Sequence, residues 1–219
     1  MTAAPGEPAR DCPLCPRLAA FRTAQRAKEP LWHNAPVPSF GGRDARLLIV
    51  GLAPGLKGAN RTGRPFTGDY AGDLLYATLK KFGFARGTYA QTADDGLTLV
   101  DCRITNAVRC VPPENKPLPA EAAQCRPFLV AEIAALPRLQ VILALGAIAH
   151  QAALAAMGER RAAFPFTHGA LHRLASGRVL ADSYHCSRYN TNTGRLTPAM
   201  FETVFAAVRG ALDAAPPVW

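Results

Sequence analysis

The sequence predicts an α/β fold: a three-layer α/β/α sandwich with a central, mainly parallel four-stranded sheet. Two observations predict it. Short, continuous apolar runs such as Arg46-Leu47-Leu48-Ile49-Val50-Gly51 and Leu139-Gln140-Val141-Ile142-Leu143-Ala144-Leu145-Gly146 have the character of strands buried on both faces. Between such runs lie stretches with apolar residues at three- and four-residue spacing, and strand–helix alternation of this kind builds a parallel sheet. No internal repeat or linker divides the chain. Its 219 residues can bury a sizeable core. Residues 1–219 are therefore expected to form a single domain, with loose tails at 1–10 and 214–219.

Taken in order, Cys12-Pro13-Leu14-Cys15-Pro16 precedes a helix from Arg17 to Lys28, with Leu18, Phe21 and Ala24 on one side. Residues 30–42 hold three prolines and two glycines and read as loop. The 46–51 strand is followed by a Gly/Pro/Asn-rich loop to Gly68. A helix then carries Leu74, Leu75, Thr78, Leu79 and Phe82. Leu97 to Thr105 is the next strand, and a helix from Pro119 or Ala120 reaches about Leu136. The 139–146 strand leads to a helix ending near Met157. Shorter strands at 171–174 and 179–181 flank the Ser176-Gly177 turn. Pro198 opens a final helix to about Leu212. In such sheets functional loops leave the carboxyl ends of the strands, which singles out residues 52–68, 106–119 and 185–196.

Composition narrows the class of partner only a little. Subtracting 16 acidic from 25 basic residues gives +9, with arginines spread along the chain. A basic folded surface suits a polyanion, but an Ala/Arg-rich bias explains the charge equally well. No apolar run approaches the eighteen or so residues that span a bilayer, and no signal peptide opens the chain. A soluble cytoplasmic protein with no membrane partner is expected. There, clustered cysteines point to metal or redox chemistry rather than disulfides.

Three stretches carry candidate chemistry. Cys12 and Cys15 form a C-x-x-C, and Cys110 and Cys125 flank a proline-rich loop. One tight pair plus two single thiolates suits an iron–sulfur cluster. Zinc competes, although it more often takes two tight pairs. Cys102, inside a strand, reads as core. The glycine-dense loop 51–68 lets backbone approach a ligand closely. Within it, Arg61 and Arg64 can meet phosphates, and Phe66 can stack on a flat ligand, although a loop-packing aromatic is the commoner case. Asp69 is an ordinary N-cap for the following helix. The stretch Ser183–Thr197 follows His185 with Ser187, Arg188, Tyr189, Asn190 and Arg195, all donors suited to a nucleic-acid backbone. Histidines 33, 150, 168 and 172 read as structural.

Taken together, GLAPG (51–55), NRTGRPFTGD (60–69), TNAVRC (105–110) and HCSRYNTNTGRLT (185–197) resemble the uracil-DNA glycosylase superfamily. The best match is its iron–sulfur branch, the b-type or family 5 enzymes, from Cys12 to about Met200. The resemblance implies a structural 4Fe-4S cluster on Cys12, Cys15, Cys110 and Cys125. It also implies a base site formed by Gly51, Leu52, Phe66, Asn106 and His185. Phe66 would stack on the flipped base, the Asn106 amide would read the pyrimidine edge, and His185 would stabilise charge on the departing base. Leu52 stands where other branches carry Asp, Glu or Asn, so the water-activating carboxylate falls to Asp69. Cys186 replaces the family's usual proline after the histidine, which is expected to loosen the turn holding His185. Arg61, Arg64, Ser187, Arg188, Tyr189, Asn190 and Arg195 are expected on DNA, with Tyr189 or Leu196 filling the vacated base space.

The activity implied is that of a monofunctional DNA glycosylase in base excision repair. It would act as a monomer on nucleoid DNA, removing uracil and other deaminated bases, such as hypoxanthine or xanthine, from double-stranded DNA. A non-catalytic iron–sulfur protein that binds nucleic acid and senses damage or redox state is the alternative.

Overall fold

A computed structural model of the chain describes residues 6–214. The elements, in chain order, are α1 (Pro16–Lys28), β1 (Phe40–Gly41), β2 (Leu47–Gly51), α2 (Ala59–Thr62), α3 (Tyr70–Lys81), β3 (Ala85–Arg86), β4 (Thr98–Leu99), β5 (Cys102–Asn106), α4 (Pro119–Ala134), β6 (Val141–Leu145), α5 (Ala147–Met157), β7 (Leu171–Arg173), β8 (Val179–Ser183), α6 (Arg188–Asn192) and α7 (Pro198–Ala214).

Four parallel strands, β5-β2-β6-β8, form the centre of the sheet, as the apolar runs require. Two antiparallel strands extend it to six: β1 on β5 and β7 on β8. The sheet is thus mixed at its edges. Alternate residues of the central strands feed two separate cores. Leu47, Ile49, Leu143 and Ala181 pack with Leu75 and Leu79 of α3 and Phe201, Phe205 and Val208 of α7. Leu48, Val50, Ile142 and Leu180 pack with Leu129 and Ile133 of α4 and Leu154 of α5. Each fully buried leucine contributes about 1.5–3 kcal/mol, and this is the energy that holds the helices to the two faces.

Several local departures from the sequence reading have physical causes. The strand expected over 97–105 divides at Asp101, whose left-handed backbone (φ +53) breaks the ladder. Its carboxylate takes the Arg46 backbone N–H at 2.9 Å and the guanidinium at 2.6 Å, fixing the register of β2 beside it. The expectation of a loose segment at 1–10 fails for its described part. The Glu7 carboxylate ion-pairs with Arg109 and accepts from Ser39 N, inside a buried network that includes Arg103 and Glu132. Residues 1–5 and 215–219, the rest of the expected tails, lie outside the described residues, and Ala214 closes α7. The helix α4 starts where Pro119 and the Glu121 carboxylate, accepting from Leu118 N at 2.7 Å, set its first turn.

Register places the strand ends side by side. Gly51 pairs with Asn106 and Leu145 with Ser183. The loops at 52–68, 106–119 and 185–196 therefore emerge from one edge.

Candidate active site

A cleft of about 470 Å³ opens at that edge, lined by residues of all three loops, among them Leu52, Gly55, Phe66, Asp69, Asn106, His185, Ser187 and Arg188. Backbone spacing decides its floor. A Cβ on Gly51 would overlap the Asn106 amide oxygen and stand 2.5 Å from Phe66 Cζ, so only glycine lets these two side chains share the strand ends. Asn106 is buried, and among the described residues no hydrogen bond to its side-chain amide is found. An amide in that state has one donor edge and one acceptor free for a ligand.

Phe66 forms one wall. Its ring lies 5.9 Å from the His185 ring with 29° between planes. Its backbone is left-handed (φ +52), which costs a bulky residue about 1–2 kcal/mol. Asp69 caps α3, its Oδ1 accepting from Gly72 N at 3.4 Å. The carboxylate is pressed between Gly55 and Gly58: a Cβ on Gly55 would stand 2.7 Å from Oδ2, and one on Gly58 2.7 Å from Cγ. Burial pushes the Asp69 carboxyl above its usual range, against the pull of the Gly72 and Ala71 amides. Burial holds His185 down to about 4, so the imidazole is neutral at physiological pH. Asn190 Nδ2 donates to His185 O at 2.8 Å and steadies its backbone.

Cys186, expected to loosen this turn, instead ties it down. The side chain is fully buried, its thiol points to Ala71 O at 3.5 Å, and burial pushes it up to about 12, which makes it inert.

The nucleic-acid residues expected from the sequence separate into two groups. Arg188 lines the cleft and lies over the Tyr70 ring at 5.4 Å, Ser187 caps α6, and Arg61 is half-buried beside Lys57. Tyr189 is 72% exposed on α6, and Arg195 is exposed over the Tyr184 ring at 4.7 Å. Two expectations are corrected. Arg64 cannot meet phosphate, because it is 4% exposed and both its terminal nitrogens bind the Asp95 carboxylate at 2.8 Å. Leu196 cannot fill a vacated base stack, because it is wholly buried in the core with Phe201 and Phe205. Asn190 is tied to the histidine, its Nδ2 donating to His185 O. Sequence reasoning missed Asn115, which lines the cleft after two successive left-handed residues, Glu114 (φ +55) and Asn115 itself (φ +57), turn the loop back. The Glu-Asn step after Pro112-Pro113 was the available signal, since Asn tolerates that conformation.

The four cysteines singled out by spacing line one cavity with Leu14, Leu18, Arg22 and Phe128. Cys15 precedes α1, Cys125 lies on α4 and Cys110 follows β5. Arg22 Nη1 donates to Cys110 Sγ at 3.3 Å, and Arg109 N to Cys125 Sγ at 3.3 Å. Arg22 Nε is buried and has no hydrogen-bond partner among the described residues. Burial pushes the Cys110 thiol up and the Cys125 thiol up to about 12. Among the described residues, the one trio of His, Cys or carboxylate ligand atoms all within 4.8 Å of one another is His150, His172 and Asp182. Both imidazoles bond to the Asp182 carboxylate, His150 Nδ1 at 2.7 Å and His172 Nε2 at 2.9 Å, in a structural network, in line with the structural reading of both histidines.

A family model described as the uracil DNA glycosylase superfamily matches residues 38–209, from just before β1 to within α7. The chain belongs to the uracil DNA glycosylase superfamily. Among curated proteins it is similar to the type-5 uracil-DNA glycosylase of Thermus thermophilus, at 48% identity over 196 residues, covering 87% of this chain and 89% of that protein. It is 44% identical over 203 residues to the type-5 uracil-DNA glycosylase of Mycobacterium tuberculosis (89% and 75% covered). It is also 39% identical over 208 residues to that of Pyrobaculum aerophilum (93% and 89% covered). The superfamily match encloses every residue lining the cleft. Among the described residues no helix is long and apolar enough to cross a membrane.

Proposed function

We propose that this superfamily member is a monofunctional uracil-DNA glycosylase. It takes uracil out of double-stranded DNA into the cleft and hydrolyses the N-glycosidic bond to leave an abasic site. One observation carries the reading: a cleft carboxylate (Asp69), a buried amide (Asn106) without a partner among the described residues, an aromatic wall (Phe66) and a neutral imidazole (His185) face one space. A base inside a duplex is out of reach, so it must be extruded before cleavage. Once extruded, it stacks on Phe66, and Asn106 supplies a donor and an acceptor to its pyrimidine edge. As the bond breaks, the sugar becomes cationic and the base anionic. Asp69 orients the attacking water, accepts its proton and offsets the sugar's charge. His185, neutral, donates a hydrogen bond to the departing base.

With Leu196 in the core, Tyr189 is the residue that fills the space left by the base, and Arg61, Arg188 and Arg195 hold flanking phosphates. The cleft's wall at Leu52 makes no demand on the base, which supports release of other deaminated bases such as hypoxanthine and xanthine. One chain supplies every part, so it acts as a single-domain monomer, on nucleoid DNA in the cytoplasm.

The donor set fits a 4Fe-4S cluster. Four cysteine sulfurs converge on one cavity, and an arginine nitrogen without a partner among the described residues stands ready to offset the cluster's negative charge. Zinc competes for the same thiolates but more often takes two tight pairs, where this chain offers one C-x-x-C and two single cysteines. Cys12, Cys15, Cys110 and Cys125 would hold the cluster. It supplies no step of the reaction; its chemistry is to cross-link the N-terminal segment, the loop after Asn106 and α4.

The test is release of uracil from duplex DNA by purified, iron-loaded protein, read as abasic product, with hypoxanthine and xanthine duplexes alongside. No product from any of them would leave the non-catalytic binding protein as the reading. Borohydride trapping is expected to give no covalent adduct, because among the described residues no lysine lines the cleft.

A further inference from the structure

Phe66 is held in its unusual conformation by a cluster that takes no direct part in the reaction. Tyr76 donates its hydroxyl to Pro65 O at 2.6 Å. Tyr89 donates to Phe66 O at 3.3 Å and accepts from Gly68 N at 3.4 Å. A Cβ on Gly72 would stand 3.0 Å from the Phe66 carbonyl carbon, so that carbonyl is pressed onto the first turn of α3. Arg64 closes the cluster. Its Nε donates to Thr67 Oγ1 at 2.8 Å, and its two terminal nitrogens donate to the two oxygens of Asp95, each at 2.8 Å. The guanidinium also lies over the rings of Phe40, Tyr76 and Tyr89, at 5.1, 5.4 and 5.9 Å. Asp95 is anchored in turn by the amides of Ala90 at 2.8 Å and Leu97 at 3.0 Å. One planar fork therefore touches the residue after Phe66, both tyrosines that hold its flanking carbonyls, and a carboxylate fixed to the 90–97 turn.

We infer that Arg64 is a positioning residue for base release: through Thr67, Tyr76 and Tyr89 it sets where Phe66 stands against the extruded base. This rests on the base-release reading of the same cleft. A fork with directed nitrogens and a flat face does the task; lysine, a single rotating charge, cannot reproduce it. The sequence makes Arg64 look like a phosphate contact, and the two roles predict different outcomes.

The experiment compares Arg64→Lys, Asp95→Asn and Tyr89→Phe in the iron-loaded full chain. Tyr89→Phe deletes one hydroxyl from a half-buried ring and keeps the fold, which guards against misfolding of the other two. Three things are measured: single-turnover uracil release, duplex affinity as a function of salt, and the fluorescence of 2-aminopurine beside the uracil, which reports extrusion. Expected are a loss on the order of tenfold in release for Tyr89→Phe, the equivalent of one hydrogen bond. Arg64→Lys and Asp95→Asn should lose up to on the order of 100-fold, as misplaced groups do. The extrusion signal should fall in step with release, and the salt slope should not change. A salt slope reduced by about 1 for Arg64→Lys, with release unchanged at saturating enzyme, is the signature of a phosphate contact and would overturn the inference. So would folded Tyr89→Phe and Arg64→Lys proteins that release uracil at the wild-type rate. If the wild type itself releases none, the base-release reading falls and this inference with it; indifferent variants beside an active wild type remove the inference alone.

Discussion

Replacing Asp69 by Asn separates chemistry from folding. Asp69 does two things: it caps α3, and among the described residues it presents the only carboxylate lining the cleft. Asparagine caps as well as aspartate, and it fits the same slot between Gly55 and Gly58, so the helix start survives. The charge does not. A carboxylate about 4 Å from a developing cation, at an effective dielectric of about 20, is worth about 4 kcal/mol, or roughly a thousandfold in rate. That agrees with the range of about 10²–10⁴ for a positioned general base. Stability should move the other way. Burial raises the Asp69 carboxyl above its unfolded value, so above that raised pKa the ionised side chain opposes folding, and Asn removes the penalty. Asp69→Asn is therefore expected to melt no lower than wild type at neutral pH, to bind uracil duplex normally, and to release base about a thousandfold more slowly. Asp69→Ala should be as slow, and should also lose about 1 kcal/mol of cap, a fall of about 2–4 °C in Tm. Single-turnover release on labelled duplex and thermal melts read both quantities. Release by Asp69→Asn within tenfold of wild type would refute the assignment.

The pH profile follows from the same shifts: release should fall as acid protonates Asp69, beginning above the ordinary aspartate range. His185, held at about 4, should add no inflection between pH 5 and 8, so His185→Asn should be slower but keep the wild-type acid limb. A limb that vanishes in His185→Asn would reverse the roles. Gly51→Ala puts a methyl into Asn106 and Phe66, and should cost on the order of 100-fold in release while binding to undamaged duplex is unchanged. Cys125→Ser should lower both iron content and melting temperature, measured by metal analysis and calorimetry; full iron retention would remove Cys125 from the ligand set. Tyr189→Ala should melt as wild type, because the side chain is exposed, and should cut base extrusion on the order of tenfold; unchanged extrusion would assign the wedge elsewhere.

Periodicity made the central strands and long helices legible, because burial on both faces demands uninterrupted apolar runs such as 47–50 and 141–145. The two-residue strands at 40–41 and 85–86 were not legible: segments that short carry no period, and pairing alone defines them. Among site residues, Asp69 was readable as a cap, and its proposed catalytic role came from the resemblance. Arg64 and Leu196 were misread for a common reason. Charge and apolarity say what a side chain can do, not which way it faces, and loop residues have no periodicity to settle it.

By itself the sequence determined the four-stranded parallel core, the edge from which the functional loops leave, and the cysteine pattern, since local composition and spacing dictate these. Only the tertiary structure decided that Arg64 turns inward onto Asp95, that Leu196 joins the core, that Cys186 is locked against Ala71, and that Glu7 docks the N-terminal segment. Each of these depends on a partner far away in the chain, and burial of a charge or thiol is settled by that partner rather than by its neighbours in sequence.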